Sequence, residues 1–216
     1  MSPLRFVVLV LFALTSFALA APEKWAPAIA ALTSDDETNP PAPHGIVFVG
    51  SSSIARWKTL AQDFPGLPVI NRGFGGSKIG DGVFYADRIV IPYAPRIVVL
   101  YSGENDLAAG ESPESVYEGF KAFVAKVHVA LPESRIIYVS MKPSPSRWAL
   151  ADKFVTSNRL IAAECARDPR LTFLDVWSPM LGPDGKPRPE LFVQDQLHLN
   201  HDGYLLWVKL IAPRLK

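Results

Sequence analysis

The run Ile46-Val47-Phe48-Val49-Gly50-Ser51-Ser52-Ser53-Ile54 joins four strand-forming residues to a glycine and three serines. An apolar pattern with helical spacing follows at Ile54, Trp57, Leu60 and Ala61, so the stretch reads as strand, tight turn, helix. A serine in such a turn lies at the carboxyl edge of its strand, where open α/β sheets bind ligands and where helix amides face an incoming anion. A hydroxyl there becomes a nucleophile if a base takes its proton. Serines also begin helices well, and by themselves Ser51, Ser52 and Ser53 fit that plainer role.

Three further stretches could serve such a serine. Asn71-Arg72-Gly73-Phe74-Gly75-Gly76-Ser77 carries three glycines in four residues; its backbone can turn sharply and present N–H groups to an anion or oxyanion, or can simply make a tight turn. It lacks both the Walker Gly-Lys-Ser/Thr ending and the G-x-G-x-x-G spacing, which argues against a nucleotide. Gly103-Glu104-Asn105-Asp106 follows the apolar run Ile97 to Tyr101. The Asn105 amide can donate to a developing oxyanion and Asp106 can accept bonds that hold the loop, although both are also common turn formers. In Asp195-Gln196-Leu197-His198 a carboxylate stands three residues before an imidazole. A compact loop can bring that carboxylate to Nδ1–H, leaving Nε2 to take a proton from a serine. A metal site would need more ligands than His201 and Asp202 add, so no metal is expected.

A scaffold must bring these stretches together. From Gly45 onward strand-like runs alternate with helical ones, the pattern of a parallel sheet covered on both faces. Strands are predicted at Ile46 to Val49, Pro68 to Asn71, Arg96 to Tyr101, Arg135 to Ser140 and Leu171 to Val176. Helices are predicted at Ile54 to Phe64, Lys78 to Ile91, Pro113 to Leu131, Trp148 to Arg167 and Asp202 to Leu210. Right-handed crossovers then make a three-layer α/β/α domain over residues 45–216, a five-stranded parallel sheet most simply in the flavodoxin-like order 2-1-3-4-5. Before it, residues 21–44 read as a short helix with Trp25, Ile29 and Leu32 on one side and an acidic, proline-rich linker containing His44. The formal net charge of +1 is spread without basic clusters, so neither nucleic acid nor an acidic membrane is an expected partner. Cys165, the single cysteine, excludes an internal disulfide and sits in an apolar-periodic run where a buried, inert thiol is expected.

Taken in order, Ser52 after Phe48-Val49-Gly50, Gly76 in Asn71 to Gly76, Asn105 in Gly103-Glu104-Asn105-Asp106 and His198 in Asp195 to His198 resemble the four blocks of the SGNH (GDSL-type) hydrolases. The resemblance implies a flavodoxin-like fold, a serine esterase site and neither metal nor cofactor. Carried over residue by residue, it makes Ser52 the nucleophile, His198 the general base and Asp195 the group that orients it. It also makes the amides of Ser52 and Gly76, with the Asn105 side chain, the oxyanion hole. The name-giving Gly-Asp-Ser-Leu is replaced here by Gly50-Ser51-Ser52-Ser53, and Glu104 occupies the position that varies in the Gly-x-Asn-Asp block. The α/β-hydrolase elbow G-x-S-x-G is not matched, because Ile54 stands where its last glycine would be.

The expected substrate is a small-molecule or glycan ester with a short acyl group, acetyl on carbohydrate included, since no long apolar segment suggests an acyl-chain tunnel. Lysophospholipids and thioesters are the alternatives within the same chemistry, and a glycan- or anion-binding module without turnover is the alternative outside it. Arg147 and Trp148, after the fourth strand, are candidate substrate-binding residues. Nothing in the sequence sets an oligomeric state. Arg5, the apolar run Phe6 to Leu14 and the small residues ending Ala18-Leu19-Ala20 read as a secretory signal over residues 1–20, giving a secreted or periplasmic protein that leaves the membrane after cleavage, with a retained anchor as the alternative. N-terminal sequencing of exported protein should therefore begin at Ala21; an intact Met1 on soluble material would contradict it.

Overall fold

The computed structural model describes residues 22–216, so the expected signal segment lies outside the described residues. A 3₁₀ segment, Pro22–Trp25, leads into α1 (Ala26–Thr33). In order there follow β1 (Ile46–Gly50), α2 (Ser52–Ala55), α3 (Leu60–Asp63), β2 (Val69–Gly73), α4 (Ile79–Ile89), β3 (Ile97–Tyr101), α5 (Glu104–Ala108), α6 (Pro113–Ala130), β4 (Arg135–Val139), α7 (Ala151–Cys165), β5 (Leu171–Leu174) and α8 (His201–Ile211). The strands form one parallel sheet in the order β2-β1-β3-β4-β5, as the alternation of strand and helix predicts. Among the described residues no helix is long and apolar enough to cross a membrane.

Alternation along the strands divides the core into two layers. Val47, Val49, Val98, Leu100, Ile136 and Tyr138 face α4, α6 and α7 together with Ile29 of α1. Ile46, Phe48, Ile97, Val99, Tyr101, Ile137 and Val139 face α2, Trp57, Leu60, Phe64 and α8. Central strands buried on both faces must be apolar throughout, which is why β1 and β3 read as unbroken hydrophobic runs. Each fully buried aliphatic or aromatic side chain stabilises the fold by about 1.5–3 kcal/mol relative to exposure. Cys165 is buried in the first layer, and burial pushes its thiol up to about 12.

Two helices depart from the periodic expectation. The helix predicted from Ile54 to Phe64 is broken into α2 and α3: the Ile54 carbonyl accepts the Trp57 amide at 3.0 Å and the Asn71 side-chain amide of β2 at 2.7 Å, which fill both its lone pairs in place of a bond from Lys58. Asp63 then accepts from the Trp57 indole at 2.6 Å and from the Thr59 hydroxyl at 2.7 Å, which holds the connecting turn. The helix predicted from Trp148 begins instead as a 3₁₀ segment, Pro145–Leu150, and becomes α-helical only at Ala151. The linker before β1 is tied to β2: Arg72 pairs with Asp36 at 2.6 Å, and the Tyr93 hydroxyl accepts from Arg72 at 3.0 Å while donating to Asp36.

Asp106 joins α5 to α4. Its buried carboxylate accepts the Ile79 amide, at 3.1 and 3.2 Å, where α4 exposes unpaired N–H groups. Burial pushes the Asp106 carboxyl up to about 7, with Glu111 adding to the rise and the Ile79 amide and Lys78 opposing it. The folded chain therefore binds this proton more tightly than the unfolded chain does. The stability it contributes is full below the ordinary aspartate range and is lost as pH rises through about 7. Asp106→Asn keeps an acceptor for Ile79 but cannot titrate. Between pH 4 and pH 8 the wild-type Tm should fall relative to the variant, by on the order of 3 kcal/mol in unfolding free energy; parallel melting curves across that range would contradict the assignment.

Candidate active site

Three adjacent serines leave β1, and the fold treats the middle one differently from its neighbours. Ser51 and Ser53 are 4% and 1% exposed, whereas Ser52 is half-buried at the first position of α2. Ser51 stands at the N-cap of α2, without a capping bond from its side chain. Ser52 Oγ lies 2.9 Å from His198 Nε2.

His198 sits in a loop that holds its own shape. The Val193 amide donates to the His198 carbonyl at 2.9 Å, and Gln196 takes a left-handed conformation at φ +54° to close the turn. Inside that turn Asp195 Oδ1 accepts the amides of Leu197 and His198, each at 2.9 Å, and Oδ2 accepts His198 Nδ1–H at 2.6 Å. Partial desolvation would raise the Asp195 carboxyl, but the bonds from the His198 ring and from these two amides outweigh it and hold the carboxyl well below the usual range. An ionised carboxylate only accepts, which puts the imidazole proton on Nδ1 and leaves Nε2 to accept the Ser52 hydroxyl. Arg56, 3.9 Å from Asp195, is an exposed partner and adds little. Asn200 caps α8 by accepting the Gly203 amide at 3.0 Å and anchors the far end of the loop.

The glycine turn after β2 lies beside Ser52. Gly76 has φ +81°, and among the described residues neither its amide nor that of Ser52 has a hydrogen-bond partner. Its neighbour Gly75 is close enough that a Cβ there would lie 3.8 Å from Ser52 Cβ. Trp25 backs this loop, with its ring 3.3 Å from where a Gly76 Cβ would stand and edge-on to Phe74 at 5.5 Å. The residues before α1 thus support the site, a role their sequence does not announce. Asn105, on α5, donates from Nδ2 to the Ser77 carbonyl at 2.9 Å and accepts Arg147 Nη2 at Oδ1, also at 2.9 Å. One Nδ2 hydrogen is left over.

Of the two candidate substrate-binding residues, Arg147 reaches the edge of the site through Asn105 and Glu104. Trp148 is held in a stack: Trp177 lies nearly parallel at 5.9 Å and Lys186 sits over the ring at 5.1 Å. Sequence reasoning misses the buried Lys142–Glu104 pair altogether. Its one signal is a pair of opposite charges, each three residues beyond the end of one of two adjacent strands. Chemically, a hydroxyl bonded to an imidazole that a carboxylate orients lies at the same end of the sheet as turns carrying N–H groups without partners among the described residues.

The fold recurs in solved structures. A Streptococcus pneumoniae protein named for platelet activating factor superposes with a TM-score of 0.79 at 19% identity, over 90% of this chain and 94% of its own. A GDSL-like lipase from Bacteroides thetaiotaomicron gives 0.69 at 22% identity, over 91% and 98%. A family 3 carbohydrate esterase from Clostridium thermocellum gives 0.59 at 16% identity, over 79% and 96%. No curated protein matches the chain. Residues 42–206, from just ahead of β1 into α8, match one family throughout, and the chain belongs to the GDSL-like lipase/acylhydrolase family of ester hydrolases.

Proposed function

We propose that this protein is a serine esterase that removes short acyl groups, acetyl on carbohydrate foremost, through an acyl-enzyme on Ser52. The observation that carries the reading is the continuous relay from Asp195 through His198 to Ser52, with contacts of 2.6 and 2.9 Å. Ser52 Oγ attacks the carbonyl carbon while His198 Nε2 takes its proton. The resulting oxyanion is held by the Ser52 and Gly76 amides and by the spare Asn105 Nδ2 hydrogen. Collapse breaks the bond to the alcohol, which leaves with the proton from His198. Water then attacks the acyl carbon, giving its proton to His198, and the acid departs as Ser52 recovers its hydrogen. No step calls for a metal or a cofactor.

The short-acyl preference is supported by the polar side chains at this end of the sheet: His198 bonds the Ser52 hydroxyl, and Asn105, bonded to Arg147, holds the Ser77 carbonyl in the glycine turn. The carbohydrate lean is supported by the esterase among the solved neighbours. Export, with the segment over residues 1–20 removed, would bring the enzyme to acetylated glycans outside the cytoplasm.

A fluorophosphonate should label wild-type protein stoichiometrically and should not label Ser52→Ala, whose kcat/KM should fall by at least about 10³-fold. Ser51→Ala and Ser53→Ala should retain most of the activity. Labelling that persists in Ser52→Ala, or its absence from the wild type, would leave a binding module as the reading. Turnover of acetyl and butyryl esters is expected to exceed that of decanoyl esters by about 10-fold or more. Faster cleavage of long-chain esters or thioesters would reverse the substrate assignment and keep the mechanism.

A further inference from the structure

Glu104 is a carboxylate removed from water. Its side chain is 4% exposed and accepts from Lys142 Nζ at 2.8 Å, from Arg147 Nη1 at 3.0 Å and from the Tyr101 hydroxyl. Lys142 is buried as deeply, with Nζ 3.2 Å from the Tyr101 hydroxyl and over its ring. Burial would raise the Glu104 carboxyl, but Lys142 and Arg147 outweigh it and keep the group below its ordinary value. Buried ion pairs are costly to desolvate, and apolar residues of similar volume often stabilise a fold as well or better. Stability alone does not account for the cluster.

Arg147 carries the cluster to the site. Its guanidinium spans Glu104 Oε2 and Asn105 Oδ1, so the Asn105 side chain cannot be reversed without cost. In the reversed sense the amide NH₂ would meet the guanidinium, donor against donor, and its oxygen would meet the Ser77 carbonyl. We propose that Glu104 and Arg147 are positioning residues: the ion pair clamps Arg147, and Arg147 holds the Asn105 amide with its spare hydrogen toward the reacting oxygen. The proposal rests on the reading of Asn105 as an oxyanion donor.

The test is a double-mutant cycle of Arg147→Met with Asn105→Ala, run beside Ser52→Ala. Arg147→Met should lower kcat by roughly 10- to 100-fold with KM nearly unchanged, the scale expected for a misplaced oxyanion donor. In the Asn105→Ala background the same change should cost less than about twofold, because the group it positions is gone. Arg147→Lys, which keeps the charge but not the fork, should fall between. An unchanged kcat, a loss confined to KM, or losses that multiply fully with Asn105→Ala would overturn the proposal. Activity in Ser52→Ala would instead overturn the functional reading.

A second readout needs no substrate. The Asn105 side-chain amide pair, identified in a ¹H–¹⁵N spectrum by its loss in Asn105→Ala, should shift and exchange faster with water in Arg147→Met and in Glu104→Gln. An unmoved pair would overturn the proposal whatever the activity. Should Arg147→Met fail to fold by circular dichroism, Arg147→Lys carries both readouts with the same criteria.

Discussion

The site depends on how closely the end of β1 approaches β3. A Cβ at Gly50 would stand 1.9 Å from the Tyr101 carbonyl oxygen, and Gly50 adopts φ +145°, a conformation side chains rarely allow. Because the backbones meet there, the Ser51 amide can donate to that carbonyl at 3.0 Å and the Phe74 amide to the Gly50 carbonyl at 2.9 Å. Gly50 is in register with Gly73 on one side and Tyr101 on the other, so three strands end at one level. Ser52, Gly76 and Asn105 then lie two to four residues beyond that level. Short connections from a rigid sheet leave them little freedom, which is what preorganised donors require.

The histidine arrives by a different route. Asp195 and His198 are paired within a local turn, through bonds between residues only three apart, so their pairing needs no contact across the fold. The one contact that must be made across the fold is His198 to Ser52, between residues 146 apart in sequence. It is secured by α8, whose Trp207, Tyr204 and Ile211 pack into the same core layer as Phe48 and Trp57, with Tyr204 also donating to the Ser53 carbonyl at 2.9 Å. Packing of a hydrophobic helix face thus sets the position of a polar group several residues before it.

Polar support comes from below the site as well. Gly103, at φ +117°, starts α5 where a side chain would collide with Val116 and Met141, and from this turn Glu104 runs inward and Asn105 reaches the Ser77 carbonyl and Arg147. Asp106 goes the other way, to the start of α4. Three consecutive polar residues therefore serve three separate purposes: charge pairing in the interior, an amide at the site, and a helix end.

The sheet, its order and the flanking helices were legible from the chain because a two-residue or a 3.6-residue apolar period is a local property, visible in runs such as Ile97 to Tyr101 and Pro113 to Leu131. Asp195 beside His198 was legible for the same reason. Choosing among Ser51, Ser52 and Ser53 was not a matter of chemistry in the sequence, since the residues are identical; resemblance pointed to Ser52, and only tertiary packing buried the other two. Nor could periodicity reveal the break after Ala55, where Asn71 on a neighbouring strand bonds the Ile54 carbonyl, or α5, which has five residues. Glu104 stood at a variable motif position, and its burial beneath Lys142 and Arg147 followed from the meeting of β3 and β4. By itself the sequence determined which segments are strands and helices and which residue types could do acyl transfer. The tertiary structure decided which polar side chains meet, because those contacts are set by strand register and helix packing between residues far apart in the chain.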